Sequence, residues 1–215
     1  MIRFRLLGFP VEIQPWFWLT CALLGGGLWA RTGEEWIGVA CWAIVALISI
    51  LMHELGHALA GQHYGARPAI ALHALGGVTV LPGASFTRFQ NIAVSAAGPA
   101  AGLMLAAACA LLLFNLPPEL PVLARRLLSL GLVLNLFWTA FNLLPIQPMD
   151  GGQILRDLLG PRHFRLTCII GAVIGAALTF WAIQAGQWFL AIFAAILAWG
   201  NFQGSVQFPG GTLSR

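Results

Sequence analysis

Long apolar runs constrain this sequence more than any other feature. An α-helix needs about 20 residues to cross the hydrocarbon core of a bilayer, and several runs in the 215-residue chain approach or exceed that length. Composition points the same way, because only 8% of the residues are charged, whereas soluble domains carry about 25%. We therefore predict an all-α polytopic membrane protein that lies in a lipid bilayer.

Six segments are predicted to span the membrane. The first is expected to be retained, because no small-x-small cleavage site follows it near Arg31 and a signal peptide would carry one. We expect a single integral-membrane domain over residues 1–215, with no appended soluble domain. The predicted spans are residues 16–30, 36–62, 89–114, 127–144, 166–185 and 188–202.

One apolar segment between the second and third spans differs from the others. Residues 67–86 are interrupted by glycine and proline and are too short and irregular for a spanning helix. We predict two short strands around Gly76-Gly77, which would form a small membrane-embedded β insert. Non-helical backbone at membrane depth is tolerated only against protein or a watery cavity, so we expect the insert to lie against one of these.

The distribution of arginines predicts the orientation in the membrane. All eleven basic residues are arginines near predicted helix ends, and without a basic patch we predict no nucleic-acid partner. With six spans, the positive-inside rule places both termini in the cytoplasm. Eight arginines are then inside (Arg3, Arg5, Arg67, Arg88, Arg156, Arg162, Arg165 and Arg215), and Arg31, Arg125 and Arg126 are outside with the acids Glu34, Glu35 and Glu119.

A metal-binding pattern lies near the end of the second predicted span. It reads His53-Glu54-Leu55-Gly56-His57, and on a helix the two histidines share one face. Their imidazoles can bind one Zn²⁺ while Glu54 serves a water at that metal. The alternative is a hydrogen-bonded pair of core histidines. Buried polar groups without partners are costly, and a shared metal removes that cost.

The best candidate for a third metal ligand is Asp150. It ends the segment Asn142-Leu-Leu-Pro-Ile-Gln-Pro-Met-Asp150, in which Pro145 and Pro148 interrupt the fourth span. We predict an unwound polar segment at membrane depth, lining a cavity. The alternative is that Asp150 only caps a short helix over residues 150–159.

These two motifs together resemble the site-2 protease family of intramembrane metalloproteases. The resemblance covers residues 50–155, and the Gly98-Pro99 pair is similar to a feature of the family's intervening helix. The family commonly has Pro-x-Pro, whereas two residues separate Pro145 from Pro148 here, so the local loop shape is expected to differ. The chain looks like a minimal member without a PDZ or nucleotide-sensing domain.

The resemblance implies a role for each motif residue. His53, His57 and Asp150 match the ligands of one zinc ion per chain, Glu54 matches the catalytic carboxylate, and Asn142 matches a polar residue near the scissile bond. The implied activity is that of a zinc endopeptidase cutting within or next to transmembrane segments of membrane-protein substrates. His53 lies about 13 Å before the end of its span, which puts the active site near the cytoplasmic face.

Two other functions use the same residues. A divalent-metal transporter would need a polar path on both sides of the site, and polar residues cluster on one side only. An inactive relative that only binds transmembrane helices would not need Glu54. Under the protease hypothesis, a strand of the β insert is expected to pair with the unwound substrate. His73 could line the site or bond to backbone, and His63 and His163 are expected at the surface.

Overall fold

The computed structural model describes residues 1–115 and 121–207. Its elements in chain order are β1 (Ile2–Leu6), β2 (Phe9–Ile13), α1 (Pro15–Leu24), α2 (Gly33–His63), β3 (Ala69–His73), β4 (Gly76–Val80), α3 (Arg88–Asn115), α4 (Val122–Asn142), α5 (Asp150–Leu159), a 3₁₀ turn (Pro161–His163), α6 (Phe164–Gln184) and α7 (Trp188–Gln207). Two compact units result: Met1–Ser85 with the described part of Ala97–Thr139, and Phe86–Ala96 with the described residues from Ala140 onward.

The predicted fold class is confirmed. Among the described residues, five helices are long and apolar enough to cross a membrane, and α1 is a shorter apolar helix. Large hydrophobic side chains on these helices are exposed, such as Ile48 in α2, Val133 in α4 and Phe180 in α6, as lipid-facing residues are. The protein is a multi-pass integral membrane protein.

The first predicted span is shorter than expected. Helix α1 ends at Leu24, and Gly25, Gly26 and Gly27 follow it. Gly26 has φ +90°, a left-handed conformation that glycine adopts without steric cost and that stops a helix. Helix α2 begins after Thr32, which forms a capping box with Glu35. The predicted helix over 150–159 matches α5, whereas Glu119 and Arg215 lie outside the described residues.

The β insert is part of a larger sheet. Strands β3 and β4 form the predicted hairpin, but the described sheet has four strands in the order β1-β2-β3-β4. No strand is predicted from the sequence before the first helix, so the N-terminal hairpin is an addition to the predicted fold. Its signals are Leu7-Gly8, both at positive φ, and the alternating burial of Phe9, Val11 and Ile13.

The sheet constrains the path of the first two helices. Strand β2 pairs with β3 in parallel, and parallel neighbours require a crossover connection. Helices α1 and α2 supply this crossover and pack against each other, and α2 also packs against β3 and β4. The α1–α2 pair therefore leaves the sheet and returns to it, so the start of α1 and the end of α2 both lie next to the sheet.

Candidate metal centre

Two histidines one turn apart on α2 present the same nitrogen to each other. His53 Nε2 and His57 Nε2 are 3.1 Å apart, and the ring planes are inclined at 81°. His53 is buried and His57 half-buried. At this distance the two rings can share a hydrogen bond, or their nitrogens can bind one ion.

Glycines on α2 and α3 make room for this pair. A Cβ on Gly98 of α3 would overlap His57 Nε2 and lie 2.9 Å from His53 Nε2. A Cβ on Gly56 would overlap the carbonyl of Ala97, so the two helix backbones touch here. Close approach is the physical reason for glycine at 98, a position that sequence analysis noted only through the family resemblance.

We expect Gly98→Ala to weaken metal binding by at least about tenfold, the scale of losses from groups that orient metal ligands. The added methyl group would displace the imidazoles from their shared position. Zinc affinity of the purified protein, measured by competition with a chelator, checks this. Gly38→Ala is the matched control, because a Cβ at Gly38, on the same apolar helix as the histidines, meets nothing within 4 Å. Equal affinity in both variants would contradict the expectation.

The Glu54 side chain packs against strand β4 at Gly77 and Thr79. Its Oε2 accepts a 2.6 Å hydrogen bond from Thr79 Oγ1, and its side chain is buried. A Cβ on Gly77 would meet the Glu54 carboxylate, so only glycine leaves room for it. Thr79 was not predicted from the sequence. The available signal was Gly76-Gly77 within a strand, because an interior glycine often marks a close approach.

Asp150 is the first residue of α5 and is buried. Met149 is the N-cap and makes no side-chain capping bond, so Asp150 is not itself the cap. Gly151 and Gly152 hold the first turn of α5 tightly: a Cβ on either would overlap backbone atoms of Leu143 or Ile146. The preceding segment is therefore folded back against the turn that carries Asp150.

The structure brings the three predicted ligands together. The candidate ligand atoms of His53, His57 and Asp150 all lie within 4.8 Å of one another. Two imidazole nitrogens and one carboxylate oxygen form a donor set of catalytic zinc sites, which keep a fourth position open. Tetrahedral ligands about 2.1 Å from zinc are about 3.4 Å apart, close to the 3.1 Å between the histidines. The residues present fit a zinc ion.

The remaining candidates have separate environments. Asn142 is the last residue of α4 and is half-buried. His73 Nδ1 accepts a 3.2 Å hydrogen bond from the Leu75 amide, which agrees with the backbone-bonded interpretation. His163 Nδ1 is 2.9 Å from the Leu159 carbonyl and is exposed. His63 is exposed and packs edge-on against Tyr64.

The chain matches family models and a solved structure. The family model described as Peptidase M50B-like matches residues 18–147, and that of peptidase family M50 matches residues 118–182. The solved structure of a site-2 protease from Methanocaldococcus jannaschii superposes with a TM-score of 0.64 at 26% identity, covering 95% of this chain and 94% of that one.

Curated relatives carry consistent names. A zinc metalloprotease of Methanocaldococcus jannaschii is 29% identical over 177 residues, covering 81% of this chain and 50% of its own length. A Synechocystis protein, provisionally named a zinc metalloprotease, is 32% identical over 163 residues, covering 72% of this chain and 42% of its own length. The chain thus spans half or less of the length of these curated relatives. With more than half of its residues matched by one family model, the chain belongs to peptidase family M50, the site-2 protease family.

Proposed function

We propose that this protein is a zinc endopeptidase that hydrolyses peptide bonds within or next to transmembrane segments of membrane-protein substrates. The observation that carries the proposal is the three-ligand set of His53, His57 and Asp150, with Glu54 next to a ligand on the same helix. A site with three protein ligands and an adjacent carboxylate has the parts needed for hydrolysis. The test is cleavage of a transmembrane substrate by the purified protein, with zinc content measured on the same sample.

Glu54 and Asn142 have separate roles in the proposed reaction. Zinc, when bound, supplies Lewis acidity that polarises the substrate carbonyl and lowers the pKa of water. Glu54 accepts a proton from the water whose oxygen bonds to the carbonyl carbon. As the carbon–nitrogen bond breaks, Glu54 passes that proton to the leaving amine. Asn142 is proposed to donate a hydrogen bond to the substrate's carbonyl oxygen.

The contacts with Gly77 and Thr79 of β4 hold the Glu54 carboxylate in one orientation, which favours its proposed role as the general base. Thr79 donates its hydroxyl hydrogen to one carboxylate oxygen, and we propose that the other oxygen accepts the proton from water. Gly77 lets the strand lie against the side chain. A general base is effective only within hydrogen-bonding reach of its proton, so fixing the carboxylate favours the proposed reaction.

A substrate helix must unwind before it can be cut. A helix uses its carbonyls in its own hydrogen bonds, and freed backbone groups need partners in an environment without water. Strand β4 is an edge of the described sheet, and edge strands can accept another strand. Val78 and Val80 are half exposed on the face opposite Glu54. We propose that β4 pairs with the unwound substrate.

The register of the hairpin decides how strand pairing should be tested. The Arg67 amide donates to the Pro82 carbonyl, and in this register residues 78 and 80 also bond directly to β3. A proline at either position would therefore break the hairpin itself. Cross-linking through the Val78 side chain leaves the backbone intact.

We expect Val78→Cys to form disulfides with single cysteines placed along a substrate segment in a pattern that alternates between neighbouring positions. Side chains of a paired strand point to alternate faces, whereas a helical substrate would give a period of about 3.6. The described native cysteines are all buried and unpaired, so the background reaction is measured with the unmodified protein. A helical period, or uniform cross-linking, would remove the strand-pairing proposal.

We further propose that both termini, and the end of α2 that bears His57, face the cytoplasm. The supporting observation is that β2 and β3 pair across the α1–α2 crossover, so the N-terminus and residues after α2 lie on one side. The arginine distribution selects that side as the cytoplasm. Cysteines introduced at Arg67 and Arg162 should react with impermeant reagents only from the cytoplasm, and one at Glu34 only from outside. The reverse pattern would invert the topology.

A further inference from the structure

Helix α7 contains a buried asparagine that the proposed reaction does not use. Asn201 is 2% exposed within the apolar helix Trp188–Gln207. A polar side chain in such a place is costly unless its hydrogen-bonding atoms are satisfied. Position 201 also lies beyond the residues matched by either family model, so its role must come from its contacts.

The Asn201 side-chain amide is hydrogen-bonded to the backbone of one residue in the segment before Asp150. Its Oδ1 accepts a 3.1 Å hydrogen bond from the Gln147 amide, and its Nδ2 donates to the Gln147 carbonyl at 2.7 Å. Nδ2 also donates its second hydrogen to the Leu197 carbonyl of its own helix at 2.8 Å. The side chain therefore holds the Gln147 residue at both its donor and its acceptor.

The segment needs such a partner because it is not helical. Local turns satisfy its other amides: Ile146 donates to Leu144 at 2.7 Å, and Met149 donates to Ile146 at 2.8 Å. Gln147 is the residue whose backbone bonds come from a distant helix. Non-helical backbone at membrane depth requires partners inside the protein. Asn201 supplies them to Gln147, which lies three residues before Asp150.

Helix α6 contributes the space for this contact. A Cβ on Gly171 would overlap Asn201 Oδ1 and lie 3.3 Å from the Ile146 Cα. A Cβ on Gly152 would overlap Ile146 backbone atoms from the other direction. The segment is thus packed between the first turn of α5 and two membrane helices, with the amide of Asn201 as its polar anchor.

We propose that Asn201 is a positioning residue of the metal centre. By holding the backbone N–H and C=O of Gln147, it fixes the start of α5 and the direction in which the Asp150 carboxylate points. The inference rests on the proposed role of Asp150 as a zinc ligand and adds a residue on another helix to that site. Groups that orient metal ligands typically change metal affinity by about 10- to 100-fold when removed.

The test replaces Asn201 by leucine, which has a similar shape and no hydrogen-bonding atoms. We expect Asn201→Leu to bind zinc at least about tenfold more weakly in competition with a chelator. We also expect its cobalt-substituted form to have an altered visible spectrum, which reports ligand geometry. Ser205→Ala is the matched control, because Ser205 is also buried in α7 and, within the part of the chain that the structure describes, its hydroxyl bonds to Phe202 of its own helix. The control should match the unmodified protein in both measurements.

A second variant keeps the test open if Asn201→Leu does not fold. Gly171→Ala leaves the asparagine in place but pushes its amide aside, so a weaker loss of the same kind is expected. Unchanged zinc affinity and cobalt spectrum in either folded variant would overturn the positioning role. If His53→Ala also leaves zinc binding unchanged in the same series, the proposed metal site itself has failed, and that outcome is distinct from the failure of the Asn201 inference.

Discussion

Glu54→Gln is expected to abolish peptide-bond cleavage while zinc stays bound. Glutamine has the same shape as glutamate and can still accept the hydrogen bond from Thr79, so the contacts of residue 54 with β4 should be retained. It cannot take a proton from water, and general acid–base groups contribute about 10²- to 10⁴-fold to rate. The check is kcat/KM on a transmembrane substrate together with zinc content of the same preparation.

The control for this variant is Glu34→Gln. Glu34 is an exposed acid at the opposite end of α2, and its neutralisation should leave cleavage unchanged. Normal turnover by Glu54→Gln would remove the proposed mechanism. Loss of zinc would instead identify Glu54 as a ligand. If the unmodified protein carries zinc but cleaves no substrate, the transporter and helix-binding alternatives are favoured.

Asp150→Ala is expected to lose both zinc and activity. Two histidines alone hold zinc poorly, since catalytic sites use three protein ligands, and we expect affinity to fall by more than the roughly 100-fold typical of supporting residues. The change should not unfold α5. An acidic residue in the first turn contributes only about 0.3–1 kcal/mol through the helix dipole, and Met149 occupies the N-cap.

His73→Ala is the control for the third ligand. His73 bonds to the backbone of its own hairpin, so its removal should leave zinc in place. Zinc content and thermal stability in detergent, measured for both variants, separate loss of a ligand from loss of the fold. A site emptied by His73→Ala and retained in Asp150→Ala would show that the third ligand has been assigned to the wrong residue.

The features that could be predicted from the sequence are those that depend on residues close together along the chain. His53 and His57 are one helical turn apart, and the prolines before Asp150 interrupt a span, so both features follow from short-range geometry. The N-terminal hairpin was not predicted because its strands have only five residues each and are stabilised by pairing with β3, which is distant in sequence. Pattern analysis has no access to such a distant partner.

The supporting residues were harder to predict for the same reason. Gly98 matters because it faces two histidines from another helix, and Thr79 because it faces Glu54 from a strand. Asn201 bonds to a residue 54 positions earlier. Each is an ordinary residue in its own element and becomes informative only when the neighbouring element is known.

The parallel pairing of β2 with β3 ties the first residues of the chain to a strand made much later. Ile13 and Leu72 are register partners, and at about 5–20 residues per second a ribosome needs roughly 3–12 s to make the intervening chain. An isolated two-stranded hairpin is at best marginally stable in water. The N-terminal hairpin must therefore wait, unfinished, until α1 and α2 have entered the bilayer and β3 has emerged. The sheet that contacts Glu54 can therefore be completed only after α1 and α2 have been synthesised.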